Sequence, residues 1–204
     1  MKNLGCPFLL FSDPRIEGGA FYIGSEELES KVRKTIQYYL DYLGLTSSDL
    51  ILSGLSMGTF PALYYGSFFE PYAIVVGKPL TNIGTVARRG RLDAPWIFNT
   101  GFDVLSHQTG GMTSGHANEL DQYFWKSFKR ADFSNTTFGL SYMKDEDMDP
   151  QAYEELVEHL CNTGAKILSR GTSGRHNDDT GENVAWFLHF YNMVLKTGFG
   201  RGEV

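Results

Sequence analysis

Five consecutive residues in the first third of the chain form a pattern suited to nucleophilic catalysis. They read Gly54-Leu55-Ser56-Met57-Gly58, which matches G-x-S-x-G. In this pattern the serine occupies a sharp turn between a strand and a helix, and glycines on both sides relieve the crowding that such a turn creates. The turn exposes the serine hydroxyl, which can then attack an acyl carbon. Ser56 is therefore the predicted nucleophile.

The sequence around the motif strengthens this prediction. Because the chain contains 23 glycines, composition alone would produce the pattern about one time in five. However, the apolar run 49–53 leads straight into the motif, and a helix rich in small and aromatic residues runs from it toward Phe69. A strand, a turn and a helix in this order are what the serine requires. A catalytic turn is thus favoured over a merely structural one.

A serine nucleophile needs a general base, and one histidine is in the right place to supply it. In the α/β-hydrolases, which carry the G-x-S-x-G turn, the triad follows the order Ser, acid, His, and the histidine comes after the last strand. The last predicted strand covers 165–169 and is followed by His176. The other four histidines fall in predicted helices or in a long irregular region, where His116 is the main rival. We therefore predict His176 as the base.

The acid is less well defined by the pattern. The predicted strand 136–143 is followed by the run Lys144-Asp145-Glu146-Asp147-Met148-Asp149. One carboxylate of this run has to orient the imidazole, while the others are solvated or cap the next helix, which has Pro150 in its first turn. Three consecutive carboxylates are nearly equal candidates on pattern alone: Asp145, Glu146 and Asp147.

The oxyanion that forms during acyl transfer needs backbone N–H donors. The helix after the nucleophile offers the N–H of Met57 at its N-terminus. A second donor is expected from Gly18-Gly19-Ala20-Phe21-Tyr22, which resembles the H-G-G-G-F-Y loop of lipases and esterases. Glu17 stands in the place of that loop's histidine, and Ala20 replaces its third glycine. Gly19 and Ala20 are the predicted donors, although an ordinary turn would look much the same.

Strands alternate with helices along the chain. Predicted strands cover 7–12, 49–53, 72–77, 136–143 and 165–169, and predicted helices cover 26–43, 59–69, 118–130, 150–162 and 182–196. Runs that are apolar on both faces, such as 49–53 and 72–77, indicate a parallel sheet covered by helices. The predicted fold is a single α/β domain over residues 1–204, an α/β-hydrolase-like three-layer sandwich with a mainly parallel sheet.

One long region breaks this alternation. Residues 78–117 are rich in Gly, Thr, Asn and Pro, show no clear periodicity and are too many for a plain connection. We expect a lid or binding loop there, with Trp96, Asn99 and Asp103 as candidate substrate-binding residues. An aromatic ring such as Trp96 could stack on a sugar face, and core packing is the alternative explanation for it.

Composition argues against several function classes. The net charge of −6 argues against nucleic acid as the main partner, because phosphate binding needs clustered Lys and Arg. Cys6 and Cys161 are too few for a disulfide framework and lack the spacing of a metal site, so we expect a reduced, cytoplasmic setting and no metal. No apolar run approaches the roughly 20 residues that a membrane span needs. Direct insertion into a membrane is therefore not expected.

The motifs together resemble a known family. The stretch Leu52-Ser53-Gly54-Leu55-Ser56-Met57-Gly58-Thr59-Phe60 looks like that of the accessory Sec system acetyltransferases, the second accessory secretory proteins of streptococci and related Gram-positive bacteria. In that family the triad is Ser, Glu, His, with the acid 90 residues after the serine and the histidine 30 residues after the acid, spacings that lead from Ser56 to Glu146 and His176. The resemblance therefore selects Glu146 from the acidic run. It covers only the C-terminal catalytic part of the family protein.

The resemblance also implies a function. It implies O-acetylation of N-acetylglucosamine on serine-rich-repeat adhesins in the cytoplasm, and help in their export together with the other accessory Sec proteins and the accessory motor ATPase. No cofactor is expected to stay bound, and acetyl-CoA is one candidate acyl donor. A carboxylesterase or thioesterase that uses water is an alternative, as is a non-catalytic export adaptor. Only one predicted strand precedes the glycine-rich turn, which suggests a C-terminal fragment of a longer protein or a shorter relative.

Overall fold

Four parallel strands form the central sheet. They are β1 (Ile51–Leu55), β2 (Ala73–Gly77), β3 (Thr137–Met143) and β4 (Lys166–Thr172). The strands lie side by side in the order β1-β2-β3-β4, and each neighbouring pair is parallel, so their carboxyl ends meet at one edge. The computed structural model of the protein describes residues 6–16, 19–93, 99–146, 148–178 and 181–200, with 90–93 and 99–102 described by their backbone alone.

Helices make up most of the remaining described chain. They are α1 (Glu26–Leu43), α2 (Thr59–Phe69), α3 (Ile83–Asp93), α4 (Asn99–Thr109), α5 (Ser114–Phe128), α6 (Met148–Leu160) and α7 (Gly181–Phe199). The ends of α1 are predicted well by the sequence because capping residues define them. The hydroxyl of Ser25 accepts a hydrogen bond from the N–H of Leu28 at the start, and Gly44 ends the helix in the left-handed conformation.

The two faces of the sheet are covered by different helices. On one face, Val75 of β2 packs with Phe187 and Phe190 of α7. On the other, the adjacent Val76 belongs to a larger apolar core that includes side chains of α1, α2, α5 and α6, among them Leu63. Because successive strand residues point to opposite faces, β2 is buried on both sides and reads as a continuous apolar run. The predicted three-layer α/β sandwich with a parallel sheet is confirmed.

Two expectations from the sequence are wrong in detail. The segment 7–12 is not a strand, and Phe8 and Leu10 are 51% and 84% exposed. The region 78–117 is not an irregular loop, because it contains α3, α4 and the start of α5. Long-range contacts explain its helices: the buried Asp121 carboxylate of α5 accepts hydrogen bonds from the N–H groups of Gly84 and Thr85 at the start of α3.

Among the described residues, none of the helices is both long enough and apolar enough to span a bilayer.

Candidate active site

The predicted nucleophile lies on a strained turn at the carboxyl end of β1. Ser56 has a φ of 50°, a left-handed conformation that costs a non-glycine residue roughly 1–2 kcal/mol. A short 3₁₀ turn, Ser56–Gly58, connects the strand to α2. A Cβ atom on Gly54 would lie 2.0 Å from the carbonyl oxygen of Gly58, whereas a Cβ on Gly58 would meet nothing within 4 Å. The first glycine of the motif is therefore required by close packing, and the second is not required on that ground.

The predicted base is in hydrogen-bond contact with the nucleophile. Ser56 Oγ lies 2.7 Å from His176 Nε2, although the two residues are 120 positions apart in the chain. They meet because β1 and β4 are parallel, so the segments after both strands leave the same edge of the sheet. The His176 side chain is 3% exposed, while Ser56 is half-buried. The hydroxyl can thus be reached by a substrate while its base is shielded from water.

The acid in contact with the imidazole is Asp149. Its Oδ1 lies 2.5 Å from His176 Nδ1, and its Oδ2 accepts a hydrogen bond of 3.0 Å from the N–H of Met143. The Asp149 side chain is fully buried. We assign the Nδ1 proton to the bond with this carboxylate, which leaves Nε2 as the acceptor that faces Ser56. The resemblance selected Glu146 for this position, and the geometry differs on that point.

Glu146 lies beside this pair but has a different contact. Its Oε1 accepts a hydrogen bond of 2.7 Å from the backbone N–H of Asp149, in the first turn of α6. Burial raises the pKa of Glu146 to about 7, and the neighbouring Asp149 carboxylate adds to the rise. Sequence reasoning missed Asp149 because it considered only the three consecutive carboxylates Asp145, Glu146 and Asp147. The helix begins at Met148, and its first turn directs Asp149 toward the imidazole.

The three side chains also form a donor set that could ligate a metal ion. One ligand atom from each of Glu146, Asp149 and His176 lies within 4.8 Å of the others. However, the 2.5 Å between His176 Nδ1 and Asp149 Oδ1 is a hydrogen-bond distance. Two ligands of one ion at bond lengths of about 2.0–2.2 Å stand roughly 3 Å apart or more. The arrangement therefore suits a shared proton better than a shared cation.

The predicted oxyanion donors are only partly in place. Met57 follows Ser56 in the first turn, where backbone N–H groups have no partner within a helix, so its N–H can serve a ligand. In contrast, the N–H of Gly19 donates to the carbonyl of Ile16 at 2.9 Å, and the N–H of Ala20 donates to Asp13 Oδ2 at 3.1 Å. In this conformation the N–H groups of Gly19 and Ala20 are therefore bonded within the protein, and their role as the second donor stays a prediction. Glu17 and Gly18 lie outside the described residues.

A clamp that the sequence reasoning missed fixes the loop next to the nucleophile. Phe21 and Tyr22 both have positive φ values, of 57° and 61°. Asp13 accepts hydrogen bonds from the N–H groups of Ala20 and Tyr22, and Arg15 pairs with Asp13 at 2.6 Å. This ion pair lowers the pKa of Asp13 to about 2. Charge-assisted bonds to the backbone can offset the strain of two left-handed residues.

Arg15 and one further side chain, Gln108, also hold two carbonyl groups of this loop. The guanidinium of Arg15 donates to the carbonyls of Ala20 and Ile23, and Gln108 Nε2 of α4 donates to the same two carbonyls, at 2.8 and 3.2 Å. The loop borders the site, since a Cβ on Gly19 would lie 3.7 Å from Met57 Cε. Helix α4 is therefore tied directly to the loop beside the nucleophile.

The structure leaves the predicted substrate-binding residues untested. Trp96 lies outside the described residues, and Asn99 begins α4, described by its backbone alone. Asp103 is exposed on the same helix. His116, the rival base, has a different role: its Nδ1 lies 2.8 Å from the Thr113 hydroxyl in the capping box that starts α5.

Comparison with known proteins identifies relatives of the whole chain. Residues 1–201 match the family described as the accessory Sec system GspB-transporter. An accessory Sec system protein of this family from Streptococcus gordonii is 52% identical over 98% of the chain, which spans 39% of that protein's length. Its counterpart from Staphylococcus aureus is 47% identical, again over 98% of the chain and over 38% of its own length. The chain thus spans about two fifths of these relatives.

Solved structures agree with this relationship. A chain of the Glycosylation Associate Protein (Gap123) complex from Streptococcus agalactiae is 49% identical with a TM-score of 0.87, over 94% of this chain and 37% of that one. A capsule O-acetyltransferase of Neisseria meningitidis serogroup A has a TM-score of 0.65 at 19% identity, over 87% of this chain and 68% of that one, which shows a shared fold alone. The chain belongs to the accessory Sec system GspB-transporter family.

Proposed function

We propose that the protein is a serine acyltransferase that uses Ser56 as nucleophile and His176 as general base. The observation that carries this proposal is the chain of contacts at the end of the sheet. Ser56 Oγ is 2.7 Å from His176 Nε2, and His176 Nδ1 is 2.5 Å from a fully buried carboxylate. Nucleophile, base and orienting acid in this order activate a hydroxyl for attack on acyl groups.

The first half of the reaction forms an acyl-enzyme. Nε2 of His176 takes the proton of the Ser56 hydroxyl as Oγ bonds to the acyl carbon, and Asp149 stabilises the resulting imidazolium through Nδ1. The N–H of Met57 donates a hydrogen bond to the oxyanion. When the tetrahedral intermediate collapses, the bond from the acyl carbon to the leaving group breaks. The leaving group takes the proton from Nε2.

The second half transfers the acyl group to an acceptor. An acceptor hydroxyl gives its proton to His176 and attacks the acyl carbon, and the proton returns to Ser56 Oγ as the ester to the enzyme breaks. We propose that the acyl group is acetyl, that acetyl-CoA is a candidate donor, and that the acceptor is N-acetylglucosamine on serine-rich-repeat glycoproteins. The membership of the chain in a GspB-transporter family supports a role in the export of such proteins.

The same relationship supports a proposal about partners and location. The S. agalactiae relative forms part of a named complex, so we propose that this protein also acts with other accessory Sec proteins, in the cytoplasm. A carboxylesterase or thioesterase that transfers the acyl group to water is the second candidate, because the first half of its reaction is the same. A purely non-catalytic adaptor fits less well, because it would not need a buried acid and base aligned on a strained serine.

Labelling with a fluorophosphonate probe tests the nucleophile. We expect the probe to modify Ser56 and no other residue, and Ser56→Ala to fold normally but to lose about 10⁴-fold or more in the cleavage of nitrophenyl acetate. Ser134→Ala is the matched control, because Ser134 is exposed on a loop away from the triad. Retention of activity within about tenfold in Ser56→Ala would remove the central proposal.

A further inference from the structure

Lys78 occupies an unusual position next to the proposed base. It directly follows β2, at the edge of the sheet where Ser56 and His176 meet. Its φ is 56°, a left-handed conformation that non-glycine residues rarely adopt, and its backbone N–H donates to the carbonyl of Ser141 at 2.7 Å. Strained backbone that the surrounding structure holds in place often marks a functional position. The contacts of the Lys78 side chain indicate what this function is.

The ammonium group of Lys78 contacts the backbone of the base itself. Its Nζ donates a hydrogen bond to the carbonyl oxygen of His176, and the residue is half-buried. Burial lowers the pKa of Lys78, while Asp149, Asp178 and Glu146 act in the opposite direction. These three carboxylates thus lie close enough to the ammonium group to favour its charged form, against the effect of burial.

We propose that Lys78 is a positioning residue of the acyl-transfer site, which fixes the backbone of His176 and offsets the negative charge of Asp149 and Glu146. This inference rests on the proposed function of Ser56 and His176. The hydrogen bond holds the His176 segment at the depth where its ring reaches both Ser56 and Asp149. The positive charge allows two carboxyl groups to lie beside one imidazole without repelling each other strongly.

The other charged groups near the site belong to α6, to the segment before it and to the segment after β4. Asp149 is on α6, and Glu146 and Asp145 precede that helix, where Asp145 accepts a hydrogen bond from the N–H of Gly174. The segment after β4 contributes Arg175 and Asp178, joined by a bond from the Arg175 N–H to the Asp178 carboxylate. Removal of the positive charge of Lys78 makes each nearby titratable group hold its proton more strongly, whichever of these groups controls the rate. The direction of the effect is therefore the same for all of them.

Three substitutions at Lys78 separate its hydrogen bond from its charge. Lys78→Arg keeps both, Lys78→Gln keeps a donor without the charge, and Lys78→Met removes both. The readout is the rate at which a fluorophosphonate inactivates Ser56 between pH 5 and pH 9, which needs no acyl donor. At the optimum we expect Arg to retain the rate within about threefold, Gln to lose about tenfold and Met about a hundredfold.

The pH profile distinguishes positioning from a structural role. In Lys78→Gln and Lys78→Met the acidic limb of the profile should move to higher pH by about half a unit or more, while in Lys78→Arg it should stay in place. Lys144→Met is the control, because Lys144 is an exposed lysine on the same edge of the sheet. A lysine that only supports the fold would lower the melting temperature and leave the limb unmoved.

Each outcome bears on a different part of the inference. Equal rates and unshifted limbs in the folded variants would overturn the role of Lys78 while Ser56 remained the nucleophile. Absence of labelling in the unsubstituted protein would instead overturn the proposed function, and the role of Lys78 with it. If Lys78→Met does not fold, the comparison of Lys78→Gln with Lys78→Arg decides the question.

Discussion

The two sides of the nucleophile are built in different ways. On one side lies the relay wall, formed by His176, Asp149 and Glu146, which follow the last two strands of the sheet. On the other side lies the loop wall, formed by the loop 19–24, with Asp13, Arg15 and Gln108 holding its backbone. In the relay wall the bonds of the imidazole join side chains to one another, whereas the bonds that hold the loop of the loop wall join side chains to main-chain groups.

This difference separates what the fold provides from what particular residues must add. Parallel strands bring their carboxyl ends together in any sheet of this type, so the relay wall needs only suitable residues after each strand. The loop wall contains two consecutive left-handed residues, Phe21 and Tyr22, which belong to no strand or helix themselves. Its shape depends on an ion pair and on a glutamine from α4. We therefore expect chemistry to be more sensitive to the relay wall, and stability to the loop wall.

The largest effect that tests this comparison concerns the acid of the relay wall. Asp149→Asn should lower kcat for nitrophenyl acetate by about 10³–10⁴-fold, because an amide cannot stabilise the imidazolium and favours the wrong tautomer. Glu146→Gln should cost about tenfold or less, since its glutamine can still accept the bond from the Asp149 N–H.

Asp145→Asn serves as the control for this pair, because Asp145 is exposed and bonds only to backbone among the contacts described. If Glu146→Gln is the crippling change and Asp149→Asn is mild, the acid is Glu146, as the family spacing indicates. That outcome would mean that the imidazole changes its partner during the reaction.

The next effect concerns the loop wall. Asp13→Asn removes the charge that pairs with Arg15 and leaves the N–H groups of Ala20 and Tyr22 without an anionic acceptor. We expect a loss of about 1–3 kcal/mol in the free energy of unfolding, measured by denaturant titration, and a fall in kcat/KM of about 10–100-fold. Asp132→Asn, at an exposed carboxylate that bonds to the N–H of Ser134, should change stability by no more than about 0.5 kcal/mol. Equal effects at the two positions would show that the clamp has no special role.

The same division explains which parts of the site the sequence predicts. Ser56 and His176 follow from motif and strand order, since the fold alone brings these positions together. Asp149 does not, because the choice among neighbouring carboxylates depends on where α6 begins and how its first turn is oriented. Acids in the first turn of the predicted helix are also candidates, and with them Asp149 would have been included.

The errors in the fold have a related cause. The apolar run 7–12 satisfies the pattern of a strand, but a strand also needs backbone partners, which the pattern does not reveal. In α3 and α4, Gly and Thr obscure the helical spacing, and these helices make contacts with distant segments, such as the bond from Gly84 to Asp121 and that from Gln108 to Ala20. Local periodicity therefore predicts α1 and β2 well, and fails where contacts between distant segments decide the structure.

A smaller effect in the relay wall concerns stability as a function of pH. The pKa of Glu146 is raised from its usual 4.5 to about 7 in the folded protein, mainly by burial. A raised carboxyl pKa favours the protonated form in the native state, so the protein loses stability as pH rises from about 4.5 to 7. Glu146→Gln removes this loss.

The variant should therefore be more stable than the unsubstituted protein at pH 8 and equal to it near pH 4.5. Because Glu146 is only half-buried, solvent screening limits the gain to the order of 1 kcal/mol, or a few degrees in Tm. Thermal unfolding at both pH values measures the difference. A gain that is the same at pH 4.5 and pH 8 would show that the carboxyl does not titrate as described.

The smallest effect concerns the acceptor, which distinguishes a transferase from a hydrolase. Both enzymes release the leaving group of an activated ester, and they differ only in what attacks the acyl-enzyme. Water is present at about 55 M, so a transferase must hold its acceptor at a higher effective molarity, which oriented reactants can reach. The region 78–117 is the expected place for such a site, and it is tied to the loop wall through Gln108.

Asp103 offers a way to test this region without disturbing the nucleophile, because it is exposed on α4. We expect Asp103→Ala to lower the ratio of acetyl transfer to hydrolysis by about 3–10-fold while ester cleavage stays within twofold, roughly the effect of one lost polar contact. Mass spectrometry of a glycopeptide that carries N-acetylglucosamine measures the transfer, and Glu119→Ala on the exposed side of α5 is the control. If no acetyl group reaches the sugar while the ester is cleaved, even in a full-length relative, the acceptor is water. The relay wall would then serve a hydrolase, and the region 78–117 would have no acceptor to hold.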